Sequence, residues 1–448
     1  MELPLFYNHR PVAMIAADEQ GARLTYVESW LGAADRFPVS LTMPLGPDSY
    51  RDERLLPWLL NLLPEGEPLR AMTRVLGASP EDVLGLIAET GNDLAGALSI
   101  QPAEPTGTPG YREIPDEEAL ERIISELPAR PFLVDEEGVA MSLAGAQDKL
   151  PVALQGNQIA IPIRGAASTH ILKPDNPRLF GSVQNEALCM VLARRAGLAT
   201  APIITGLAGK RSYLLVTRYD RIMDDEGARR LHQEDFCQAL GRPPAAKYEF
   251  NRTGTRGPSL AEMFALVRAH MTAREITQLL DAVIFNIAIG NVDSHAKNYS
   301  LLLGPRRPAL APLYDLMSGL AWDGITQNHA QAIGSQRRGR HIYGRHWRAM
   351  AAACGLAGTA TVRRVEQLTQ RLLKELPAAT AEVAAMPAGA GPMLGIFEQE
   401  IGQRIVEVRA HAAEIGEVDA PEGADGETEQ SAGAEAANEL SGDATAYR

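Results

Sequence analysis

An aspartate and an asparagine five positions apart offer the clearest chemistry in this sequence. Asp293 and Asn298 belong to the run NVDSHAKN, which follows a predicted apolar helix and precedes the predicted apolar strand Tyr299–Leu303. A carboxylate in such a loop can orient an attacking hydroxyl or accept its proton, while a side-chain carbonyl holds Mg²⁺ on phosphates. Seventeen residues after Asn298, Asp315 in the run LYD adds a carboxylate that could bridge Mg²⁺ to the β- and γ-phosphates. Together these residues would support phosphoryl transfer.

Each of these residues also has a plain structural interpretation. Asp293 and Asn298 could cap a turn, and Asp315 could cap a helix. The loop has the spacing found in kinases, and Asp315 follows the next strand at the distance expected of a second metal-binding carboxylate. These two observations together favour the catalytic interpretation. His295 lies in the same loop without a Cys or His at ligand spacing, so we expect a structural or phosphate-contacting role.

A lysine and a loop of small residues are candidates for holding phosphates. Lys173 ends the predicted strand Thr169–Lys173, and Glu186 follows thirteen residues later in a predicted helix, where the two could pair. Taken alone, a solvated lysine and a surface glutamate would be the default interpretation. The run SLAGAQDK at 142–149 would let backbone N–H groups approach phosphate oxygens. With one glycine it matches no standard nucleotide-binding pattern, and a plain turn explains it equally well.

The order of predicted elements indicates an α+β fold. The runs that we assign to strands are Pro11–Ala17, Leu24–Tyr26, Lys149–Leu154, Gln158–Ile163, Thr169–Lys173 and Ser212–Tyr219. The runs that we assign to helices are Leu55–Leu63, Pro80–Ala88, Gln184–Ala196, Glu234–Leu240, Leu260–His270 and Ala273–Ile289. A Gln-Gly-Asn turn predicts a hairpin between the third and fourth strands. Strands with one helix, followed mostly by helices, predict a small nucleotide-covering lobe and a larger helical lobe.

Composition divides the chain into five predicted parts. These are an N-terminal α/β subdomain over 1–100, a linker over 101–118, a small ATP-covering lobe over 119–219, a helical catalytic lobe over 220–415 and a disordered acidic tail over 416–448. The tail has almost no large apolar residue, so it cannot offset its ordering entropy. From Glu414 to Arg448, ten Asp or Glu stand against one Arg. We expect removal of the tail to leave catalysis and thermal stability nearly unchanged.

Charge and composition exclude several classes of protein. The formal charge is −13, of which the final stretch holds −9, so the body has no basic excess for binding nucleic acid. The basic segment Arg337–Arg345 could touch DNA, but a solvated loop is the favoured interpretation. No apolar run approaches the roughly eighteen residues of a membrane span, and from the composition of the first residues we expect no secretory leader. Cys189, Cys237 and Cys354 are scattered, which fits a reducing cytoplasm and supplies no disulfide framework or zinc site.

A series of motifs resembles the HipA-type serine/threonine kinases, which are toxins of type II toxin–antitoxin modules. The motifs in family order are SLAGAQDKLPV, STHILKP, NEALCMVLARRAGL, LLVTRYDR, HQEDFCQALG, KYE, NVDSHAKNYSLL and LAPLYDLMS, and NLLPEGEP and AETGNDLAGALSI resemble the N-terminal subdomain of that family. The resemblance covers about residues 3–415. It implies a two-lobed kinase-like fold related to the phosphoinositide kinases, whose Asp-x-His-x-x-Asn loop is similar.

The resemblance implies roles for individual residues. Asp293 matches the catalytic base, and Asn298 and Asp315 match the Mg²⁺ ligands. ATP is the implied co-substrate, and the residues implied to bind it are Ala144, Gly145, Ala146, Gln147, Asp148, Lys149, Lys173, Thr217, Arg218, Tyr219, His295, Lys297, Asn298, Tyr314 and Asp315.

Two further implications concern the hinge and regulation. Thr217–Tyr219 match the hinge, whose backbone should contact the adenine edge, so side-chain identity there should matter little. Ser142 matches the serine that these kinases phosphorylate on themselves, which expels the loop and silences the enzyme.

The resemblance also implies a function and partners. The expected activity is transfer of the γ-phosphate of ATP to a serine of another protein, such as an aminoacyl-tRNA synthetase, which would halt translation and growth. The expected partner is a helix-turn-helix antitoxin, with DNA contacted only through that complex and no membrane involved. One alternative is a nucleotide-binding pseudokinase that serves as an interaction module for a DNA-binding antitoxin; another is a small-molecule or lipid kinase. The intact residues Lys173, Asp293 and Asp315 argue against a pure scaffold, and the family-like N-terminal region argues against the lipid kinase.

Overall fold

The computed structural model describes residues 1–101, 108–224 and 227–414, and the predicted tail over 416–448 lies outside them. The strands are β1 Glu2–Tyr7, β2 Arg10–Asp18, β3 Gly21–Tyr26, β4 Tyr50–Arg51, β5 Ser99–Ile100, β6 Gly110–Glu113, β7 Leu150–Gln155, β8 Gln158–Ile163, β9 His170–Pro174, β10 Ile203–Ala208, β11 Arg211–Thr217, β12 Arg221–Asp224, β13 Gly227–Arg230, β14 His232–Asp235, β15 Ser300–Leu303, β16 Ala309–Leu310, β17 Asn328–Ile333 and β18 Gln336–Arg338. The α-helices are α1 Glu28–Leu31, α2 Asp52–Leu60, α3 Gly66–Leu76, α4 Val83–Thr90, α5 Glu117–Glu126, α6 Ser182–Arg195, α7 Phe236–Ala239, α8 Leu260–His270, α9 Ala273–Ala288, α10 Gly344–Ala353, α11 Gly358–Ala384 and α12 Leu394–Ala413. Short 3₁₀ turns cover Pro131–Leu133, Pro244–Ala246, Ala296–Asn298 and Gly339–His341.

The chain folds into two compact units, each assembled from separate segments. The first unit contains Met1–Pro174, Leu207–Pro244 and Ser300–Ala311, and the second contains Asp175–Gly206, Ala245–Tyr299 and the described residues from Pro312 onward. The predicted five-part division instead runs through consecutive residues, and it stays a prediction. That division gives residues 220–244 and 300–311 to the catalytic lobe. In the structure these residues belong to the first unit, where β14 pairs with β15.

Two antiparallel sheets and one hydrophobic core organise the first unit. One sheet has the strand order β4-β3-β2-β1-β5, and the other has the order β10-β11-β9-β7-β8-β6. Fully buried apolar residues alternate with partly buried residues along β1 and β3, so one face of that sheet packs into the core. A single core cluster includes Leu5 and Trp30 beside the first sheet and Leu150 and Leu172 in the second.

The predicted hairpin is confirmed in the second sheet of this unit. β7 and β8 pair directly across the turn, where Gly156 has a φ of 62°. A left-handed residue of this kind closes a tight hairpin at no steric cost to glycine. The predicted linker is wrong in its last part, because Gly110–Glu113 forms the edge strand β6 on β8. Positions 102–107 of that linker lie outside the described residues.

Helices dominate the second unit, as the sequence predicts. α8 and α9 each begin with a capping box, Ser259 with Glu262 and Thr272 with Glu275, which fixes the start of both helices. α6 ends before Gly197, whose φ of 87° suits a helix terminus. Within the described ranges, no helix is long and apolar enough to cross a membrane.

One predicted helix and several strands require correction. Glu234–Leu240 is not one helix, because Glu234 lies in β14 and the short helix α7 starts at Phe236. The side chain of Asp235 accepts the backbone N–H of Gln238, which makes Asp235 the cap and not an internal position. The buried carboxylate of Glu234 accepts the backbone N–H of Leu41 and so belongs to a long-range contact. The helical prediction beyond Tyr219 also misses β12 to β14 and β16 to β18, whereas the strand predicted at Tyr299–Leu303 is confirmed as β15.

Candidate active site

A rigid turn after α9 begins the loop that contains Asp293. Gly290 has a φ of 68°, and a Cβ there would lie 2.5 Å from a side-chain atom of Leu320, so this position needs glycine. Asn291 then donates twice to Asn286 of α9, from its backbone N–H to the carbonyl at 2.8 Å and from its side chain to Oδ1 at 2.9 Å. The Asn286 side chain in turn donates to the hydroxyl of Tyr299 at 2.8 Å. These bonds connect the start of the loop to α9, which precedes it, and through Asn286 to Tyr299, which follows it.

Hydrogen bonds to its backbone and to its side chain position Asp293. Its backbone N–H donates to Oδ1 of Asn291 at 3.1 Å, and its carbonyl accepts Nδ2 of Asn298 at 2.8 Å. The hydroxyl of Tyr248 donates to Oδ1 of the Asp293 carboxylate. The side chain of Asp293 is 19% exposed, so an oriented carboxylate remains within reach of a reactant. This is the arrangement that a base or an orienting residue for a hydroxyl requires.

Tyr248 is a site residue that sequence reasoning missed. It belongs to the KYE run, which is part of the family resemblance but received no role there. Besides its bond to Asp293, its ring meets the ring of His295 edge to face, with centroids 5.1 Å apart. The imidazole of His295 is nearly buried and lies 3.9 Å from the carboxylate of Asp293. Nothing local in the sequence pointed to this contact, because Tyr248 stands 45 residues from Asp293.

The segment with Asp315 is tied to the same loop within the second unit. The hydroxyl of Tyr314 donates to the carbonyl of Lys297 at 2.7 Å, which brings the neighbours of Asp315 and Asn298 together. Leu313 exchanges backbone hydrogen bonds with Ala199 and Ala201 at 2.8 and 2.9 Å. Asp315 itself has a φ of 56°, a left-handed conformation that costs a non-glycine residue about 1 kcal/mol or more. Surrounding contacts thus hold Asp315 in a strained conformation, which is common at functional sites.

The donor set of this loop suits a hard divalent cation. The carboxylate of Asp315 and the side-chain carbonyl of Asn298 are oxygen ligands, and Nδ2 of Asn298 is already used by the carbonyl of Asp293. In the part of the chain that the structure describes, no three His, Cys, Asp or Glu residues cluster as a metal site. A nucleotide-bound Mg²⁺ needs only one or two protein ligands besides phosphates and water, so the residues fit that cation.

In the first unit, hydrogen bonds within the predicted phosphate loop and to Glu65 fix the shape of the loop. Nζ of Lys149 donates to the carbonyl of Ala144 at 2.7 Å, and the carbonyl of Gly145 accepts the backbone N–H of Glu65 at 3.0 Å. Gly145 has a φ of 106°, and a Cβ there would lie 2.6 Å from Nζ of Lys149. Burial raises the pKa of Asp148, and Lys149 counteracts the shift in part. The run 144–149 is thus a shaped loop that requires Gly145.

Ser142 is fully buried at the start of this run. Its hydroxyl donates to the carbonyl of Leu62 at 3.0 Å, and its backbone N–H donates to the carbonyl of Asp93 at 3.2 Å. The structural alternative considered from the sequence was a hydroxyl that caps a backbone N–H. The hydroxyl instead donates a hydrogen bond to a carbonyl in the N-terminal part of the unit.

Lys173 and Glu186 are both buried, so neither is the solvated surface residue of the default interpretation. Lys173 lies in β9 of the first unit, opposite Leu214 of β11. Glu186 lies in α6 of the second unit. Burial of ionisable groups is rare without partners, which is consistent with functional roles. Their pairing with each other stays a prediction.

The hinge prediction needs a correction at Arg218. The side chain of Arg218 is 2% exposed and belongs to a network that we call the ion cluster, consisting of Asp93, Arg218, Asp220, Arg221 and Arg230. Arg218 donates to both carboxylate oxygens of Asp220, at 2.9 and 2.7 Å. Its backbone N–H donates to the carbonyl of Thr169 at 2.9 Å and is therefore engaged in the sheet. Side-chain identity matters at this position, because a buried network depends on it.

Within the ion cluster, opposite charges offset the cost of burial. Burial alone would raise the pKa of Asp93 and Asp220, but the guanidiniums of Arg221 and Arg218 hold both well below the usual range. Arg221 contacts Asp93 and Asp220 at 2.9 Å each. Burial and the neighbouring Arg218 lower the pKa of Arg221 to about 10, so it is still protonated at neutral pH. The cluster is a structural feature of the first unit.

Comparison with known proteins identifies the family. A family model described as the HipA-like C-terminal domain matches residues 141–379, and one described as the HipA N-terminal domain matches residues 3–101. A Sinorhizobium fredii protein that bears the name "Putative kinase Y4mE" is 37% identical over 376 residues, which cover 82% of this chain and 89% of that protein. The serine/threonine-protein kinase toxin HipA of Shewanella oneidensis is 30% identical over 375 residues, 81% of this chain and 84% of its own length.

A solved structure agrees with these relatives. HipA from the Shewanella oneidensis complex of HipA, HipB and operator DNA superposes with a TM-score of 0.80 and 27% identity, covering 93% of this chain and all of that one. The superposition defines a HipA-like fold of mixed helix and sheet, which confirms the predicted fold class. The chain belongs to the HipA family of kinases, as its motifs predict.

Proposed function

We propose that this protein is a toxin that uses Mg²⁺ and ATP to phosphorylate a serine of another protein, such as an aminoacyl-tRNA synthetase. The observation that supports this best is the Asp293 carboxylate, which is oriented by Tyr248 and left partly exposed. A pure scaffold has no need for an oriented, accessible carboxylate at this place. Modification of a synthetase would stop tRNA charging and so arrest translation.

The proposed reaction assigns one role to each residue. The serine oxygen attacks the γ-phosphorus, and the bond to the oxygen that leads to the β-phosphate breaks, so that ADP leaves. Asp293 orients the hydroxyl and accepts its proton. Asn298 and Asp315 would hold Mg²⁺, which neutralises phosphate charge when it is bound. Lys173 and the loop 144–149 would bind the phosphates from the first unit.

Regulation by autophosphorylation is part of the proposal. A phosphate on Ser142 would carry about −1.5 to −2 charge. Because the Ser142 hydroxyl is fully buried on the carbonyl of Leu62, the group cannot be accommodated there. The run 142–149 would have to leave its place, and the phosphate-binding loop would be lost with it. We also propose a helix-turn-helix antitoxin as a partner, with DNA bound through that complex, in line with the HipA–HipB–DNA assembly of the relative.

Incubation of the purified protein with γ-labelled ATP and a cell lysate tests the activity. We expect label on protein, and loss of that label in Lys173→Ala. Lys210→Ala is the matched control, since Lys210 is exposed at the β10–β11 turn and should transfer normally. Label on a lipid or a small molecule would overturn the protein-kinase proposal. No transfer from a wild-type protein that binds ATP would favour the pseudokinase.

A further inference from the structure

One stretch of the second unit contains arginines and no acidic residue. Gly324–Val365 contains seven Arg and no Asp or Glu. Five of these arginines follow one another from β18 to the first turns of α10. We call them the arginine surface: Arg337, Arg338, Arg340, Arg345 and Arg348. Arg338, Arg340 and Arg348 are exposed, so this part of the unit presents concentrated positive charge to its surroundings.

Aromatic rings and a backbone carbonyl position the two less exposed arginines. The guanidinium of Arg337 lies over the ring of Phe250 at 4.6 Å from the centroid, and its Nε donates to the carbonyl of His329 at 3.2 Å. The guanidinium of Arg345 lies over the ring of Tyr343 at 5.2 Å. Such contacts orient a guanidinium. The carboxylate of Glu249 also acts on the charge of Arg337 and raises its pKa against the effect of burial. The two less exposed arginines therefore hold defined positions.

The described chain ends beside this surface. The ring of Tyr343 stacks on His411 of α12 with centroids 4.5 Å apart. The backbone N–H of Gly344 donates to the carbonyl of Glu414 at 3.0 Å, and a Cβ at Gly344 would collide with that carbonyl. The last described residue, Glu414, therefore lies beside Gly344, the neighbour of Arg345 in the sequence. From there the sequence continues for 34 residues with nine Asp or Glu and one Arg.

We propose that residues 415–448 bind in cis to the arginine surface as an intramolecular polyanion. The charges are opposite, and the tether begins at the surface, which raises the effective concentration to about the millimolar range. Each exposed ion pair contributes little, roughly 0–1 kcal/mol, and is screened by salt. The contact is thus compatible with a melting temperature that hardly depends on the tail.

The arginine surface adjoins the loop that contains Asp293. Nδ1 of His329 lies 3.0 Å from the carbonyl oxygen of Asn291, two residues before Asp293. The carbonyl of the same histidine accepts Arg337, so a single residue connects the surface to the loop. The inference rests on charge and on the position of Glu414, and it stands whether or not the proposed kinase activity is confirmed.

Cross-linking in the full-length chain tests the contact. The arginine surface and the tail contain no lysine, so Arg338→Lys and Arg345→Lys each install one amine. A zero-length carbodiimide should then join that amine to tail carboxylates, and mass spectrometry should locate the bond. The signal should vanish in about 0.5 M NaCl, where the Debye length is only a few ångströms. Arg274→Lys, exposed in the first turn of α9, is the control and should give no cross-link to the tail.

Three measurements have outcomes that would overturn the proposal. Equal cross-linking from the control position, or none from the surface, would overturn it. Mixing isotope-labelled and unlabelled chains distinguishes cis from trans contact, and cross-links mainly between chains would overturn the cis assignment. In addition, a fluorescent peptide of residues 415–448 should bind at least about tenfold more tightly to a full-length variant whose nine tail acids are amides than to the wild type. Equal affinity would mean that the tail does not occupy the surface.

Discussion

Two regions of this protein concentrate charged residues and use them in opposite ways. The ion cluster of the first unit buries two carboxylates among three guanidiniums, and each carboxylate is paired with more than one arginine. In the Asp293 loop of the second unit, Tyr248 donates to the Asp293 carboxylate, Asn298 donates to the Asp293 backbone carbonyl, and the carboxylate stays partly exposed. A carboxylate that is buried among guanidiniums is not accessible to an external reactant. A carboxylate that is oriented and partly exposed can still act on one.

This difference separates two motifs that look alike in the sequence. VTRYDR and NVDSHAKN both place charged residues beside a strand, and both belong to the family resemblance. Only the structure shows that Arg218, Asp220 and Arg221 are turned into the interior while Asp293 is not. If this view is right, substitutions in the two regions should affect different observables.

The largest effect is expected for Asp293→Asn, which keeps the shape of the side chain and removes its basicity. Phosphoryl transfer should fall by about 10²–10⁴-fold, the range typical of a lost general base. Denaturant unfolding should be nearly unchanged, because the bonds from Asn298 and to Asn291 involve the backbone of Asp293. Initial rates of transfer and an unfolding curve on the same preparation check both parts. Near wild-type transfer would show that Asp293 is not the base.

Asp220→Asn should have the converse effect. Arg218 and Arg221 would remain buried with one carboxylate fewer, which typically costs about 3–5 kcal/mol. The depressed pKa of Asp220 means that its contribution is present above the unfolded value near 3.8 and is lost as the pH falls through the folded value. The loss in the variant should therefore be full at pH 7 and shrink in acid. Chemical denaturation at pH 7 and at an acidic pH measures this loss of stability.

A neighbouring aspartate provides the control for this prediction. Asp224 follows on β12 and pairs with Arg229 at 3.7 Å, with both side chains almost half exposed. Asp224→Asn should therefore change the free energy of unfolding by about 0–1 kcal/mol. An equal loss in the two variants would contradict the distinction between buried and exposed charge.

Glu234→Gln tests a buried carboxyl that is not neutralised by an opposite charge. Burial raises the pKa of Glu234 to about 8, and its Oε1 accepts the backbone N–H of Leu41 at 2.8 Å. The folded protein thus keeps this proton where the unfolded chain has lost it, so stability should decline as the pH rises from about 4.5 to about 8 and then level off. Glutamine keeps the acceptor and cannot ionise. The variant should gain a few kcal/mol relative to the wild type between pH 5 and pH 9, measured by urea unfolding; a constant difference would be evidence against the raised pKa.

Local patterns explain what could be predicted from the sequence. The β7–β8 hairpin and α8 are specified by neighbours in the chain, through a glycine turn and a capping box, and both are found where predicted. The loop with Asp293 and Asn298 could also be predicted, because its signal is the spacing of two residues that are close together in the chain. The helix predicted at Glu234–Leu240 failed because Glu234 is held by Leu41, 193 residues away.

Distant contacts explain most of what was missed. The ion cluster depends on Asp93 meeting Arg221 across 128 residues, so no local pattern could separate Arg218 from a solvated hinge residue. Tyr248 reaches Asp293 by a comparable long-range contact. Sequence spacing can identify which residues are able to react, but the burial that decides between structural and reactive charges arises only from packing.

At Ser142 we expect a smaller stability effect than at Asp220 or Glu234, and this position also tests the regulation. Ser142→Ala leaves the buried carbonyl of Leu62 without its donor, which should cost about 1 kcal/mol. Ser125→Ala is the control, since Ser125 makes the same kind of bond to the carbonyl of Glu121 at an exposed site of α5 and should cost less. Equilibrium unfolding of both variants gives the comparison.

Mass spectrometry after incubation with Mg²⁺ and ATP then decides whether Ser142 is a switch. Phosphate should appear on Ser142 of the wild type and be absent from Asp293→Asn, since transfer needs the base. Because a doubly charged group cannot stay where a hydroxyl is fully buried, the modified protein must expose the run 142–149. Affinity for ATP should fall with it, measured by calorimetry on modified and unmodified protein. An unmodified Ser142 in fully active enzyme, or a modified form that binds ATP normally, would leave Ser142 as a structural residue, comparable in role to the ion cluster and not to the catalytic loop.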